Sequence, residues 1–175
     1  TCAKQLSAAY LPIGAVLVRD TVYDLIEAHA CSLGTFGTGN TYGGHPVAAA
    51  VALETLKIYE ERDIVGRVKH LAGHFADRVQ ALGNHPLVGN ARSVGLIGAI
   101  ELVADKGTKE SFAAGERIAV QVAAAARAHG LIVRPVPGDT VAFCPPLIIE
   151  PDEIDAMFDA VGDALNDVQR HAGRT

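Results

Sequence analysis

Two long apolar stripes at helical spacing constrain the fold of this chain more than any other feature of its sequence. The first comprises Ile64, Val68, Leu71, Phe75, Val79 and Leu82, and the second Ile154, Phe158, Val161, Leu165 and Val168. Steps of three and four residues put each stripe on one face of a helix, which has to be buried against another layer. A third helix is expected at 116–129, ended by Gly130. Short apolar runs at 96–102, 131–133 and 140–143 predict strands, so the chain is α/β with an α+β arrangement in its C-terminal part.

The residues before Pro46 have a different pattern. The run at 12–18 is apolar throughout and predicts a fully buried strand, which needs neighbouring strands to pair with. Few candidates accompany it, so we expect this part to be the end of a larger sheet domain. A loop rich in Gly and Thr follows at 34–44. Pro46 is tolerated as the first residue of a helix, and the residues after it are apolar on every face, which predicts burial.

Charge and cysteine content exclude several function classes. The 175 residues carry a net charge of −5 without a Lys/Arg cluster, which argues against a nucleic-acid-binding face. No apolar stretch reaches membrane-spanning length, so we expect no membrane helix. The three cysteines, Cys2, Cys31 and Cys144, are widely spaced, which predicts neither disulfides nor a zinc site and fits a reducing cytoplasm. His70 and His74 are four residues apart but lack a third ligand, so no metal site is expected.

Three residues suggest chemistry. Lys4 lies among small apolar residues just before the predicted strand; it is either a surface lysine or a partly buried amine able to form a Schiff base. Thr41 lies between glycines ahead of a helix, where a hydroxyl suits a phosphate, although the segment could also be a plain loop. Arg134 is kept extended by Pro135, and an arginine at a strand end either clamps a carboxylate or makes a surface salt bridge.

The segments around these residues resemble class III aminotransferases of the omega-transaminase type, which are pyridoxal-phosphate enzymes of fold type I. The resemblance lies in AKQLSAAYLPIGAV at 3–16, in TYGGHPVAAA at 41–50, and in GLIVR at 130–134 followed by GD at 138–139 and PPLII at 145–149. The order and separation of the three segments also agree with the family, so the likeness covers essentially the whole chain.

The resemblance implies a domain organisation and a role for each of the three residues. Residues 1–62 correspond to the end of the large cofactor-binding sheet domain with a connecting helix, and residues 63–175 to the C-terminal α+β small domain. Lys4 matches the lysine that forms a Schiff base with pyridoxal 5'-phosphate. Thr41 matches the threonine that reaches the cofactor phosphate of the neighbouring subunit, and Arg134 the mobile arginine that binds a substrate carboxylate. A homodimer with a shared active site is therefore expected.

The implied activity is transfer of an amino group from an amine or omega-amino acid to an oxo acid, with pyruvate as the expected acceptor. A racemase, aminomutase or decarboxylase of the same family would keep the same lysine, and a cofactor-free interaction module is the alternative from another class. The family's aspartate under the pyridine nitrogen and its ring-stacking aromatic have no counterpart in this sequence. We therefore expect the sequence to correspond to the final stretch of a longer enzyme and to be inactive alone.

Overall fold

The structure, a computed structural model, describes residues 1–171 and divides into two compact units, Thr1–Asp63 and Ile64–Thr175. The first unit contains strands β1 (Cys2–Ala3) and β2 (Gly14–Ala15), a 3-10 turn at Lys4–Leu6, and helices α1 (Asp20–Leu33) and α2 (Pro46–Glu61). The second contains helices α3 (Ile64–Leu82), α4 (Ile118–Ala128) and α5 (Pro151–His171) and strands β3 (Val88–Val94), β4 (Ile97–Leu102), β5 (Arg134–Val136) and β6 (Thr140–Phe143). Helices and strands alternate as the sequence predicts.

The fully buried strand predicted at 12–18 is wrong. Only Gly14 and Ala15 of that run form a strand, and they pair antiparallel with Ala3 and Cys2 of β1. Beyond β2 the chain is open to solvent, and Leu17 is 78% exposed. The reason is that within this unit no third strand lies beside the pair and no layer covers it.

Helix α2 begins at Pro46 as predicted, but the expected burial on all sides is also wrong. Only Ala48, Ala52 and Thr55 are buried, whereas Leu53 is 68% exposed. The element of the first unit that packs against α2 is the short turn at Lys4–Leu6, which covers a narrow part of the helix. Helix α1, which the sequence analysis missed, has no buried residue.

The second unit is an antiparallel sheet with strand order β3-β4-β6-β5, covered by helices on one face. Ile100 lies opposite Val141 and Gly98 opposite Phe143, and these positions face the helices. Three aromatic rings form the centre of the core: Phe158 meets Phe75 at 5.1 Å and Phe143 at 5.3 Å, in edge-to-face geometry. Both predicted stripes lie in this core, apart from Val68, which is half-buried against it, and Ile64, which is buried but not part of this cluster.

The strand predictions in this unit are right at β6, right to within one residue at β4, and wrong at 131–133. There the chain has no ladder partner among the described residues, and pairing begins only where Arg134 lies opposite Ala142. Helix α4 spans Ile118–Ala128, and Gly130 follows it at φ +79, the left-handed stop that was expected. Within residues 1–171, no helix combines the length and apolar character needed to cross a membrane.

Candidate functional site

Lys4 lies directly after β1, at the first residue of the 3-10 turn. Its backbone has φ +55, in the left-handed region that non-glycine residues rarely occupy. The side chain is exposed, so the partial burial considered from the sequence is not found in this chain. Its amine has no hydrogen bond or ion pair within the described residues.

The chain after Lys4 folds into a tight turn that ends at Leu11. The Lys4 carbonyl oxygen accepts hydrogen bonds from the amides of Ser7 at 3.2 Å and Ala9 at 3.3 Å. The Ser7 side chain is 1% exposed, and its hydroxyl donates to the Leu11 carbonyl oxygen at 2.6 Å. Sequence analysis singled out the lysine but not these neighbours, because a serine in a loop carries no pattern of its own.

A tyrosine of α2 contacts the same turn. The Tyr59 hydroxyl lies 3.1 Å from the Gln5 carbonyl oxygen and 3.2 Å from Gln5 Oε1, and it donates to them. The two residues are separated by 54 positions, so no local signal in the sequence could have revealed the contact.

Thr41 lies in the loop between α1 and α2 and is exposed. A turn at the threonine is closed by a hydrogen bond from the Gly43 amide to the Asn40 carbonyl oxygen at 2.8 Å. His45 then caps α2, since its Nδ1 accepts from the Ala48 amide at 3.5 Å. The Thr41 hydroxyl has no hydrogen bond within residues 1–171, so it is available to a ligand.

Arg134 is the first residue of β5, is exposed, and faces away from the helices because it lies opposite Ala142. The predicted extended conformation before Pro135 is confirmed. Arg134 also lines a cavity of about 930 Å³ with Val133, Phe143 and Pro146, and Met157 of α5 lines it too. Its guanidinium makes no ion pair in the described part of the chain.

Arg67 of α3 contacts the segment that forms one wall of this cavity. Arg67 Nη2 donates to the carbonyl oxygens of Ile148 at 3.2 Å and Ile149 at 2.7 Å, and it pairs with Glu150 Oε1 at 2.9 Å. The segment that carries these acceptors connects β6 to α5. Arg67 therefore fixes the path of the chain along the cavity.

Two carboxyl groups and one imidazole of the second unit have shifted pKa values. A hydrogen bond from His129, reinforced by Arg170, holds the pKa of Asp167 below its usual range. The Thr108 amide and hydroxyl likewise lower the pKa of the Asp105 carboxyl. Burial lowers the pKa of His85. No group of three or more His, Cys, Asp or Glu in residues 1–171 could hold a metal ion.

Two of the three predicted residues, Lys4 and Thr41, belong to the first unit, and Arg134 belongs to the second. No hydrogen bond of the described residues joins Lys4 to Thr41. An amine, a hydroxyl and a guanidinium, none of which has a hydrogen-bond or ion-pair partner among residues 1–171, are the groups that react with an aldehyde, bind a phosphate and bind a carboxylate. The chemistry of this donor set fits pyridoxal phosphate and a carboxylate substrate.

Comparison with known proteins extends over nearly the whole chain. The family model for aminotransferase class-III matches residues 1–165. The chain is 41% identical over 170 residues to "Gamma aminobutyrate transaminase 1, mitochondrial" of Solanum lycopersicum, covering 97% of this chain and 33% of the relative. It is 44% identical over 164 residues to "Probable gamma-aminobutyrate transaminase 4" of Oryza sativa subsp. japonica, covering 93% and 34%.

Solved structures of transaminases also match this chain. A structure described as "Transaminase with L-ala" superposes with a TM-score of 0.91 at 46% identity, over 97% of this chain and 40% of that one. The omega transaminase from Pseudomonas jessenii in complex with PMP gives a TM-score of 0.91 at 41% identity, over 98% and 38%. The chain thus spans about a third of the length of the curated relatives it matches. It belongs to the class-III aminotransferase family.

Proposed function

We propose that this chain carries part of the active site of a pyridoxal-phosphate-dependent aminotransferase. The enzyme moves an amino group from an amine or omega-amino acid to an oxo acid, with pyruvate as the acceptor. Relatives named as gamma-aminobutyrate transaminases support an omega-amino acid as donor, and the structure named as a transaminase with L-ala supports the pyruvate/alanine pair. The observation that carries the proposal is the exposed Lys4 amine, presented just after β1 and without an internal partner.

Each of the three residues has a distinct task in this proposal. Lys4 Nζ would hold the cofactor through its aldehyde carbon, and the Thr41 hydroxyl would donate a hydrogen bond to its phosphate. When bound, pyridoxal phosphate would supply an electron sink for the pair left when a C–H bond beside nitrogen breaks. Lys4 Nζ, released as a free amine when the substrate amine takes its place, would accept the proton from the substrate carbon and return it as general base and acid. Arg134 pairs with the carboxylate of the oxo acid through two parallel hydrogen bonds.

The same proposal covers assembly and domain organisation. Residues 1–62 form the end of the large cofactor domain, and residues 63–175 form the small domain, of which the last four residues lie outside the described ones. Two copies form a homodimer in which Thr41 serves the neighbouring subunit's site. The proposed location is cytoplasmic, supported by three widely spaced cysteines, all of which are exposed and free. Several plant relatives are named as mitochondrial.

Borohydride reduction tests the central assignment. The full-length enzyme is incubated with pyridoxal phosphate, reduced, digested and mapped by mass spectrometry, and we expect the cofactor mass on Lys4. Lys57, which pairs with Glu54 and Glu61 on α2, serves as the internal control. Cofactor on Lys57 or Lys69 in place of Lys4 would overturn the proposal.

A further inference from the structure

We infer that Tyr59 and Ser7 are positioning residues for the Lys4 amine. The inference rests on the proposed role of Lys4 and adds to it a means by which the protein fixes that side chain. It is carried by three observations on the turn between Lys4 and Leu11: its backbone conformation, its buried serine, and its contact with α2.

The backbone of the turn is strained. Lys4, Ala8 and Ala9 have φ values of +55, +48 and +62, and none of them is a glycine or an asparagine. Non-glycine residues remain in the left-handed region only when surrounding contacts determine the conformation, since each costs free energy there. The direction in which Lys4 leaves the main chain is therefore set by the contacts that hold this turn.

Ser7 supplies the inner contact. Its side chain is 1% exposed, and its hydroxyl bonds to the Leu11 carbonyl oxygen while its amide bonds to the Lys4 carbonyl oxygen. One residue thus joins the two ends of the turn. Loss of the hydroxyl leaves the Leu11 carbonyl without this donor and lets the turn open.

Tyr59 supplies the outer contact. Its hydroxyl lies within hydrogen-bond distance of both oxygen atoms of Gln5, the residue that directly follows Lys4, and shares its one proton between them. Helix α2 also begins soon after the loop that contains Thr41, the residue proposed to bind the phosphate. The same helix therefore follows this loop and restrains the turn between Lys4 and Leu11. The Tyr59 hydroxyl acts on the peptide unit between Gln5 and Leu6, one unit beyond Lys4, so its effect on the lysine is one of orientation.

The test compares Tyr59→Phe, Ser7→Ala, Gln5→Leu and Tyr23→Phe in the full-length enzyme. Gln5→Leu removes one of the two acceptors and keeps the carbonyl oxygen. Tyr23→Phe removes a hydroxyl that has no hydrogen bond within residues 1–171 and is the matched control. Three quantities are measured: hydrogen exchange of the peptide covering residues 4–10 in the cofactor-free protein, the Kd for pyridoxal phosphate, and the melting temperature.

We expect Tyr59→Phe to speed exchange of that peptide and to raise the Kd, each by about fivefold, which corresponds to roughly 1 kcal/mol for one hydrogen bond. Gln5→Leu should give a smaller change, and Tyr23→Phe none. Ser7→Ala, in which a half-buried acceptor loses its donor inside the turn, should exceed Tyr59→Phe in its effects on exchange and on the Kd. The melting temperature of Tyr59→Phe should match that of Tyr23→Phe.

Two results would overturn the inference. One is a Kd of Tyr59→Phe equal to that of Tyr23→Phe, whether or not exchange rises, because the turn would then not govern the lysine. The other is a fall in melting temperature with unchanged exchange at residues 4–10, which would make Tyr59 a general structural residue. Both leave the proposed function intact, because that function fails only if borohydride does not fix the cofactor to Lys4 in the unmodified enzyme.

Discussion

Replacement of Arg67 by methionine should loosen the segment that connects β6 to α5 and lines the 930 Å³ cavity beside Arg134. Arg67 makes two kinds of contact with this segment: hydrogen bonds to the carbonyl oxygens of Ile148 and Ile149, and an ion pair with Glu150. Methionine keeps most of the side chain's apolar length and removes every donor. The hydrogen bonds and the ion pair are expected to contribute different amounts to the local stability.

The hydrogen bonds should dominate. The Arg67 and Glu150 side chains are 31% and 59% exposed, and an ion pair with this exposure contributes about 0–1 kcal/mol. A hydrogen bond from a charged donor contributes roughly 1.5–3 kcal/mol, with the lower end suited to a partly exposed arginine. Because one nitrogen, Nη2, makes all of these contacts, we count its hydrogen bonding once. We therefore expect Arg67→Met to destabilise the local structure by about 2 kcal/mol, and Glu150→Gln, which removes the ion pair alone, by about 0.5 kcal/mol.

Native-state hydrogen exchange measures this locally. The amides of Ile149 and Ile154 donate to the carbonyl oxygens of Pro146 and Glu150, so they report opening of the segment. A loss of 2 kcal/mol corresponds to exchange about 30-fold faster, and 0.5 kcal/mol to about twofold. An effect of Glu150→Gln as large as that of Arg67→Met would refute the reasoning, because the ion pair would then dominate.

Four further predictions follow from the other features. Thr41→Ala should raise the Kd for pyridoxal phosphate about tenfold, whereas Thr41→Ser, which keeps the hydroxyl, should not; equal affinities would count against a phosphate contact. Arg134→Ala should slow turnover of carboxylate-bearing partners and spare the half-reaction of a benzylic amine; equal losses in both kinetic assays would make Arg134 structural. Because burial, with help from Lys106, lowers the pKa of His85, the unfolded histidine binds a proton more readily than the folded one. The contribution of His85 to the free energy of unfolding should therefore be fully present above pH about 6.5 and decrease as the pH falls through that value. If denaturation of His85→Asn showed the same dependence of unfolding free energy on pH as the unmodified protein, this prediction would be contradicted. A polypeptide limited to residues 1–175 should show no transaminase activity, since no residue here resembles the family's aspartate or stacking aromatic, and measurable amino transfer by it would disprove that expectation.

The second unit could be predicted well from the sequence because the apolar faces of its helices are buried within the unit itself. Phe75 and Phe158 meet in the core, so the spacing of each stripe has a physical partner within the same unit. Strand β3 escaped prediction because Asn90, Arg92 and Ser93 interrupt its apolar pattern. Its existence depends on pairing with β4, which no local signal encodes.

The first unit shows the opposite case. Leu17 and Leu53 are apolar, and the sequence predicted burial for both, yet each is largely exposed in this chain. An apolar run is buried only when another layer of secondary structure packs against it. The first unit has two short strands and two helices, which do not provide such a layer. For the candidate site, family likeness identified Lys4 and Thr41, whereas the contact of Tyr59 with Gln5 depends on tertiary structure alone.

The pairing of β5 with β6 also restricts how this chain can change in length. Arg134 lies opposite Ala142 and Val136 opposite Thr140, with three residues, 137–139, closing the hairpin. Successive side chains of a strand point to opposite faces, so the face that Arg134 occupies depends on the number of β5 residues between it and the turn. Deleting one of these residues, Pro135 or Val136, would place Arg134 opposite Val141, which is 0% exposed, and would direct the guanidinium towards the buried side of the sheet. Insertions and deletions within β5 are therefore compatible with an outward arginine only in pairs, a parity rule for natural variation and for engineering of this strand.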